Sequence, residues 1–381
     1  MLLAGIDVVQ RQGFEPLKGK RVGLLSNGGT IDRAYRYTAD VFRQAHAEGV
    51  LTLAALFGPQ HGMWGHTQDN MVEWEGDGEA PIPVHSLYGK HREPTDAMLE
   101  GLDVLVVDIP DVGARYYTFI WTMALCLKAC ARKGIPVLVL DRPNPIGGVQ
   151  VEGPVLHPHY TSFVGLYPLP TRHGMTSGEV ARRLVEDHFG ACELAVLPVE
   201  GWDRAAYLDE TDYPWAMPSP NMPTVHTAAV YPGMCLVEAT NLSEGRGTTR
   251  PFETFGAPWL DGWRLAASLN QRGLPGVVFR PVEFQPTFQK HGGQVCQGCF
   301  LHVVDRRTFE PVLAAVVALQ EAWRQNPTKF GWGDPPYEYV WDKRPIDILA
   351  GNGWLRAAIE LGTSTKEVRE RFQSEVEAWL A

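Results

Sequence analysis

The sequence predicts an α/β protein: a Rossmann-like parallel-sheet domain over residues 1–200, followed by a second, smaller α+β domain over residues 201–381. Three observations carry this expectation. Short runs rich in Val and Leu, at 21–26, 53–57, 103–108 and 136–141, each end in a polar or glycine-containing loop, as central strands buried on both faces do. Helix-like segments at 37–47, 95–102 and 117–133 separate them, and this alternation is that of a parallel sheet covered by helices. From about Trp202 the texture changes to prolines, aromatics and short segments.

Further elements follow in order. Thr176, Ser177, Gly178 and Glu179 read as a capping box opening a helix that runs to about Phe189, and 194–197 as a strand stopped by Pro198. In the second domain 230–237 reads as a buried strand, 276–284 and 299–304 as strands, 309–324 as a helix and 366–380 as a C-terminal helix.

Bulk properties exclude several function classes. The 34 basic and 44 acidic residues give a net charge of −10 without a basic stripe, which argues against nucleic acid as a partner. The longest charge-poor apolar stretch, 116–127, falls short of the roughly 20 residues that span a bilayer, so no membrane span is expected. The start lacks a basic segment and meets Asp7 early, so a cytoplasmic location is expected, with export after removal of a leader as the alternative. Cys126 and Cys130 read as core, and the CxxC at Cys296 and Cys299 has no second pair at zinc-ligand spacing, so neither metal nor disulfide is expected. The loop after the first strand, SNGGTID, lacks the GxGxxG spacing, and no Walker A sequence occurs; no cofactor is expected.

In a parallel sheet of this kind ligands bind outside the carboxyl ends of the strands, which here would collect Asn27, Gln60, His61, Asp108, Asp111 and Asp141. The segment DIPDVGARYY adds Arg115 and Tyr116; stiff loops bounded by proline or glycine add Asn144, His173 and Asn221. The densest polar group is ATNLSEGRGTTRPFE at 239–253. There Asn241, Glu244, Arg246 and Arg250 sit among glycines that permit close backbone approach, the pattern of a ligand-gripping loop. Each group also has a plain structural reading: Asp111 as a helix cap, His61 as a hydrogen-bonded loop residue, the 239–253 charges as mutual partners. The acidic run at 73–79 reads most simply as a solvated loop, while Trp64, Trp74 and Tyr116 suit stacking on sugar faces.

Several of these motifs together, FGPQHG from Phe57, SLYG from Ser86, DVGARYYT from Asp111, LDRPNPIGG from Leu140, EGP from Glu152, RHGMT from Arg172, PSPNMPT from Pro218 and TNLSEGRGTTRPFE from Thr240, resemble the exo-β-N-acetylmuramidase family. The resemblance covers most of the chain. It implies removal of N-acetylmuramic acid from the non-reducing ends of peptidoglycan fragments, in a cleft that the smaller domain closes over the Rossmann-like one. Under it Gln60, His61, Asp108, Asp111, Tyr116 and Glu244 become candidates for catalysis. Asn27, Arg115, Asp141, Asn144, His173, Asn221, Asn241, Arg246 and Arg250 become candidates for holding substrate, the arginines by gripping the lactyl carboxylate bidentately. The chain departs from the family pattern at Gln60, where the pattern carries glutamate, and an amide cannot donate a labile proton as a carboxylic acid does. A muropeptide-binding or regulatory protein is the second reading that this departure opens.

Overall fold

The computed structural model of this 381-residue chain describes residues 1–65, 67–68 and 71–381. Two compact units interleave along the sequence: the first is Met1–Gly113, Tyr117–Val149 and Gly174–Pro220, the second Ala114–Tyr116, Gln150–His173 and Asn221–Ala381. A single division at 200/201 therefore does not describe them, because the stretches at 114–116 and 150–173 leave the first unit for the second and return.

In chain order the strands are β1 (Arg21–Leu25), β2 (Thr52–Gly58), β3 (Val84–Ser86), β4 (Val104–Val107), β5 (Val137–Leu140), β6 (Glu152–Val155), β7 (Pro170–Arg172), β8 (Leu194–Leu197), β9 (Thr254–Ala257), β10 (Val277–Phe284) and β11 (Cys296–Val303). The helices are α1 (Gly5–Arg11), α2 (Thr38–Ala47), α3 (Phe119–Lys133), α4 (Ser177–His188), α5 (Val225–Met234), α6 (Gly262–Gln271), α7 (Pro311–Gln325), α8 (Pro345–Ala350), α9 (Trp354–Leu361) and α10 (Thr365–Leu380).

The first unit carries a parallel sheet in the order β3-β2-β1-β4-β5-β8, with Leu25 in register with both Phe57 and Val107. Every residue of β4 and β5 is buried, which is why these strands read as unbroken Val/Leu runs. Strand order reverses between β1 and β4, the place where such sheets open a crevice beyond the strand ends. The helix expected at 95–102 is absent. Met98, Glu100 and Leu102 bond back three residues as separate turns, and Gly101 leaves helical geometry at φ 71°. Strand β3 escaped the sequence reading because it is three half-buried residues at the sheet edge.

The second unit holds an antiparallel sheet, β10-β11-β9, and the β6–β7 pair. The strand expected at 230–237 is instead the end of α5 and a following 3₁₀ turn at Cys235–Ala239. Thr224 caps α5 through its side-chain oxygen, and α5 packs on α7 with nearly every side chain buried. A fully buried helix shows no apolar stripe, so its sequence looks the same as a buried strand. All six cysteines are buried free thiols. No helix among the described residues is long and apolar enough to cross a membrane.

Candidate active site

The chain leaves β2 through Gly58 and turns at Gln60 and His61. Three neighbours fix this turn. The Trp74 indole donates to the Pro59 carbonyl at 2.9 Å, and its ring lies where a side chain on Gly58 would collide, within 2.6 Å. His61 takes φ 67°, a strained conformation for a non-glycine residue, and its Nδ1 lies 2.9 Å from the Thr67 carbonyl. A carbonyl oxygen can only accept, so Nδ1 is a protonated nitrogen of this ring. Gln60, 6% exposed, accepts a 2.7 Å hydrogen bond from the Thr118 hydroxyl on Oε1, which turns the amide so that its N–H groups point the other way.

The acids at the neighbouring strand tips divide. Asp108, beyond β4, is fully buried and spends both oxygens on Arg142, at 2.5 and 2.8 Å, and on the Thr38 hydroxyl at 2.6 Å. Asp141, beyond β5, accepts from Gly178 N–H, the Thr176 hydroxyl and Arg142 N–H, anchoring the start of α4. Burial nevertheless pushes its carboxyl up to about 6. Asn27 and Asn144 are loop staples, Asn27 to Pro218 and Gly29, Asn144 to Met175 and Ile146. Asp111 differs: one oxygen accepts from Gly113 N–H at 2.9 Å, and the side chain lines a hollow with Pro110, Arg142, Tyr213 and Trp215. At about 40 Å³ this hollow has the size of one or a few waters, not of a sugar.

Residues of the second unit read as ligand-gripping are mostly structural. Arg115 is buried and donates to the carbonyls of Pro154, Leu169 and Leu349; burial lowers its pKa to about 10. The Tyr116 hydroxyl donates to Pro232, and its ring stacks edge-on with Tyr231, so it offers no platform to a sugar. His173 is fully buried, and Asn221 is 6% exposed. In the 240–253 loop Asn241 staples Lys329 and Gly331, and Arg246 donates to Glu238 and lies over the Phe252 ring. Glu244 is buried against Lys290 at 3.0 Å and Arg246 at 3.3 Å. Burial alone would raise its pKa, but the two cations outweigh it and hold the carboxylate below its ordinary range. Arg250 is the exception, with a side chain 49% exposed and a loose 3.4 Å pairing to Glu253.

The sequence reading missed a hollow of about 660 Å³ in the first unit, lined by Glu73, Trp74, Glu75, His85, Lys90 and His91. Its volume lies in the range of small-molecule sites. Trp74 is shared: it braces the Gln60–His61 turn and forms a wall of this hollow. The acidic run at 73–79 therefore belongs to a concave surface, and Ser86 and Gly89 of the SLYG motif line it too. An aromatic flanked by acids and followed by glycines was the available signal. No group of three or more His, Cys, Asp and Glu placed to hold a metal occurs among the described residues.

A doubly wound parallel sheet with polar groups at its strand tips, beside a tryptophan-walled hollow, is the setting in which α/β enzymes bind small ligands. Residues 22–226 and 229–381 match the N-terminal and C-terminal family descriptions of the exo-beta-N-acetylmuramidase NamZ, and the chain belongs to that family. It is 43% identical over 370 residues to the peptidoglycan beta-N-acetylmuramidase NamZ of Bacillus subtilis, covering 97% of this chain and 87% of that protein. Crystal structures of two DUF1343 family proteins from Bacteroides fragilis are also similar. One is 34% identical with a TM-score of 0.87, the other 28% with 0.76; each alignment covers 99% of this chain and 96% of the other.

Proposed function

We propose that this chain is an exo-acting glycoside hydrolase that removes N-acetylmuramic acid from the non-reducing ends of peptidoglycan fragments. One observation carries the reading: identity of 43% along nearly the whole chain to a peptidoglycan β-N-acetylmuramidase, matched by both halves of the family description. Within it, Asp111 is the carboxylate that activates water, because among the acids singled out at the strand tips it alone lines a water-sized hollow. His61, carrying a proton on Nε2 as well as Nδ1, gives the Nε2 proton to the leaving oxygen while Asp111 takes one from the attacking water. Gln60 donates its amide N–H groups to the substrate instead of supplying a proton, consistent with Thr118 occupying its oxygen.

Hydrolysis of a chromogenic N-acetylmuramide by the natural chain tests the function, and the same assay on Gln60→Glu tests the amide. Turnover by the natural chain is expected. A silent natural chain with an active Gln60→Glu variant would replace this reading by that of a muropeptide-binding protein.

A further inference from the structure

Two open aromatic rings stand together at the strand tips of the first unit. Trp64 is 55% exposed and Tyr37 42%, and they meet edge to face, with centroids 5.7 Å apart and planes at 75°. Backbone holds both from behind. Met63 is buried, and the Trp64 carbonyl lies so close to Gly28 that a methyl group there would sit 3.3 Å from it. Tyr37 forms an antiparallel bridge with Ile31; the next residue, Thr38, donates its N–H to the Thr30 carbonyl at 3.0 Å and its hydroxyl to Asp108 at 2.6 Å. Each ring gives up stability where it stands. Tyr37 is the N-cap of α2 without a side-chain bond to the helix, at a position where Ser, Thr, Asp or Asn would supply one, and Trp64 leaves over half of a large apolar side chain in water. The pair also adjoins the residues assigned to catalysis. Trp64 follows His61 by three residues, and Gly29, next to the Gly28 that Trp64 covers, lines the hollow of Asp111. Arg36, the charged neighbour of Tyr37 in sequence, is spent on Asp32 at 2.7 Å and Gln10 at 2.6 Å, so the rings offer apolar faces without a cation beside them from that residue.

We propose that Trp64 and Tyr37 form the platform for the leaving group: the neutral N-acetylhexosamine ring on the far side of the scissile bond lays its C–H face on Trp64, with Tyr37 along its edge. The inference rests on the exo-acting muramidase reading above and deepens it. An exo-acting enzyme encloses the terminal sugar and must leave open the side on which the glycan continues. Solvent-facing rings beside the catalytic turn suit that open side, where an enclosed pocket would block the chain. A pyranose presents an apolar C–H face to an aromatic ring while its hydroxyls stay in water, and two rings already braced against each other and their backbone lose little freedom on binding.

The test compares two substrates on the full chain: the disaccharide N-acetylmuramyl-β-1,4-N-acetylglucosamine, whose leaving group is a sugar, and the β-fluoride of N-acetylmuramic acid, whose leaving group has no ring. The readout is the ratio of kcat/KM on the disaccharide to kcat/KM on the fluoride. Trp64→Ala should lower this ratio about tenfold, chiefly through the KM of the disaccharide, and Tyr37→Ala about threefold, while Trp64→Phe should recover most of the loss. Both side chains are exposed, so the variants should fold; Trp263→Ala, which removes an equally exposed tryptophan from α6, should leave the ratio unchanged. A ratio unchanged in Trp64→Ala and Tyr37→Ala overturns the proposal and leaves the enzymatic reading intact. Equal losses on both substrates also overturn it, because the rings then act on something other than the leaving sugar. Self-association that Trp64→Ala abolishes, with the ratio unchanged, assigns the rings to a contact between copies of the chain. No turnover of either substrate by the natural chain defeats the enzymatic reading itself, and this proposal with it.

Discussion

The strand-tip loops of the first unit and the 240–253 loop of the second are equally polar in sequence, yet they use their polar groups in opposite ways. The 240–253 loop turns its charges inward. Glu244 meets Lys290 and Arg246, Arg246 meets Glu238, and Glu238 accepts from the Tyr337 hydroxyl at 3.0 Å. Gly245 and Gly247, at φ 80° and 77°, give room to Thr254 and Phe288 backbone and not to a ligand. At the strand tips the same chemistry splits: Asp108 and Asp141 anchor the scaffold, while Asp111 accepts from Gly113 N–H and also lines a small hollow. Density of charge thus marks a place where backbone must be held.

The largest effect that would break this contrast is catalytic. Asp111→Asn should lower kcat by about 10²–10⁴-fold with the melting temperature held, since asparagine still accepts from Gly113 N–H. Turnover of the chromogenic substrate and a thermal melt check both halves, and full activity in this variant dismisses Asp111. Glu244→Gln should behave oppositely. Removing one anion leaves Lys290 and Arg246 short of a partner and costs about 3–5 kcal/mol in urea unfolding, with kcat of the folded fraction preserved. A stable, inactive Glu244→Gln protein would return that residue to catalysis.

The sequence made the first unit's sheet legible because its central strands are buried on both faces, and burial on both faces writes a continuous Val/Leu run. It failed where burial lacks a period. The run at 230–237 is apolar on every side in α5 as it would be in a strand, and the half-buried edge strand β3 is too short to alternate. The candidate site was legible as residue types. Orientation was not: nothing in the sequence tells that the Tyr116 hydroxyl ends on Pro232, or that Arg115 is consumed by three carbonyls of its own unit. Trp74 reads in the sequence as a stacking residue, and its bracing of the Gln60 turn was hidden for a related reason. Its role depends on Gly58 leaving space beside the Gln60 turn, a contact between residues sixteen apart without a shared periodicity.

A smaller effect separates buried acids by pH. Glu152, next to α7, accepts from Leu313 N–H at 2.9 Å, and burial, only partly offset by that bond and by Arg172, raises its carboxyl from 4.5 to about 7. Its proton is held more tightly in the folded chain than in the unfolded one. Folding therefore takes up a proton between pH 4.5 and 7, and the stability attributable to this group falls as pH rises through that window, by up to roughly 3 kcal/mol. Glu152→Gln should flatten the stability profile there, measured by urea unfolding at pH 4.5, 6 and 7.5; an unchanged slope shows that the ionised form is accommodated.

The smallest effect compares two capping boxes of the same type. Thr176 opens α4 in the first unit, and Ser364 opens α10 in the second; each accepts from the N–H three residues on, and each receives a glutamate in return. Thr176 is buried and also donates to Asp141, whereas Ser364 and Glu367 are exposed. Ser364→Ala should cost about 0.5–1 kcal/mol, the ordinary loss of an N-cap. Thr176→Ala should approach about 2 kcal/mol, because it also strips a donor from a buried carboxylate. That lost donor favours the protonated acid, so the Thr176→Ala penalty should grow between pH 5 and 7, while the Ser364→Ala penalty stays level. Equal penalties at every pH would mean that the strand-tip acid and the helix start are held independently.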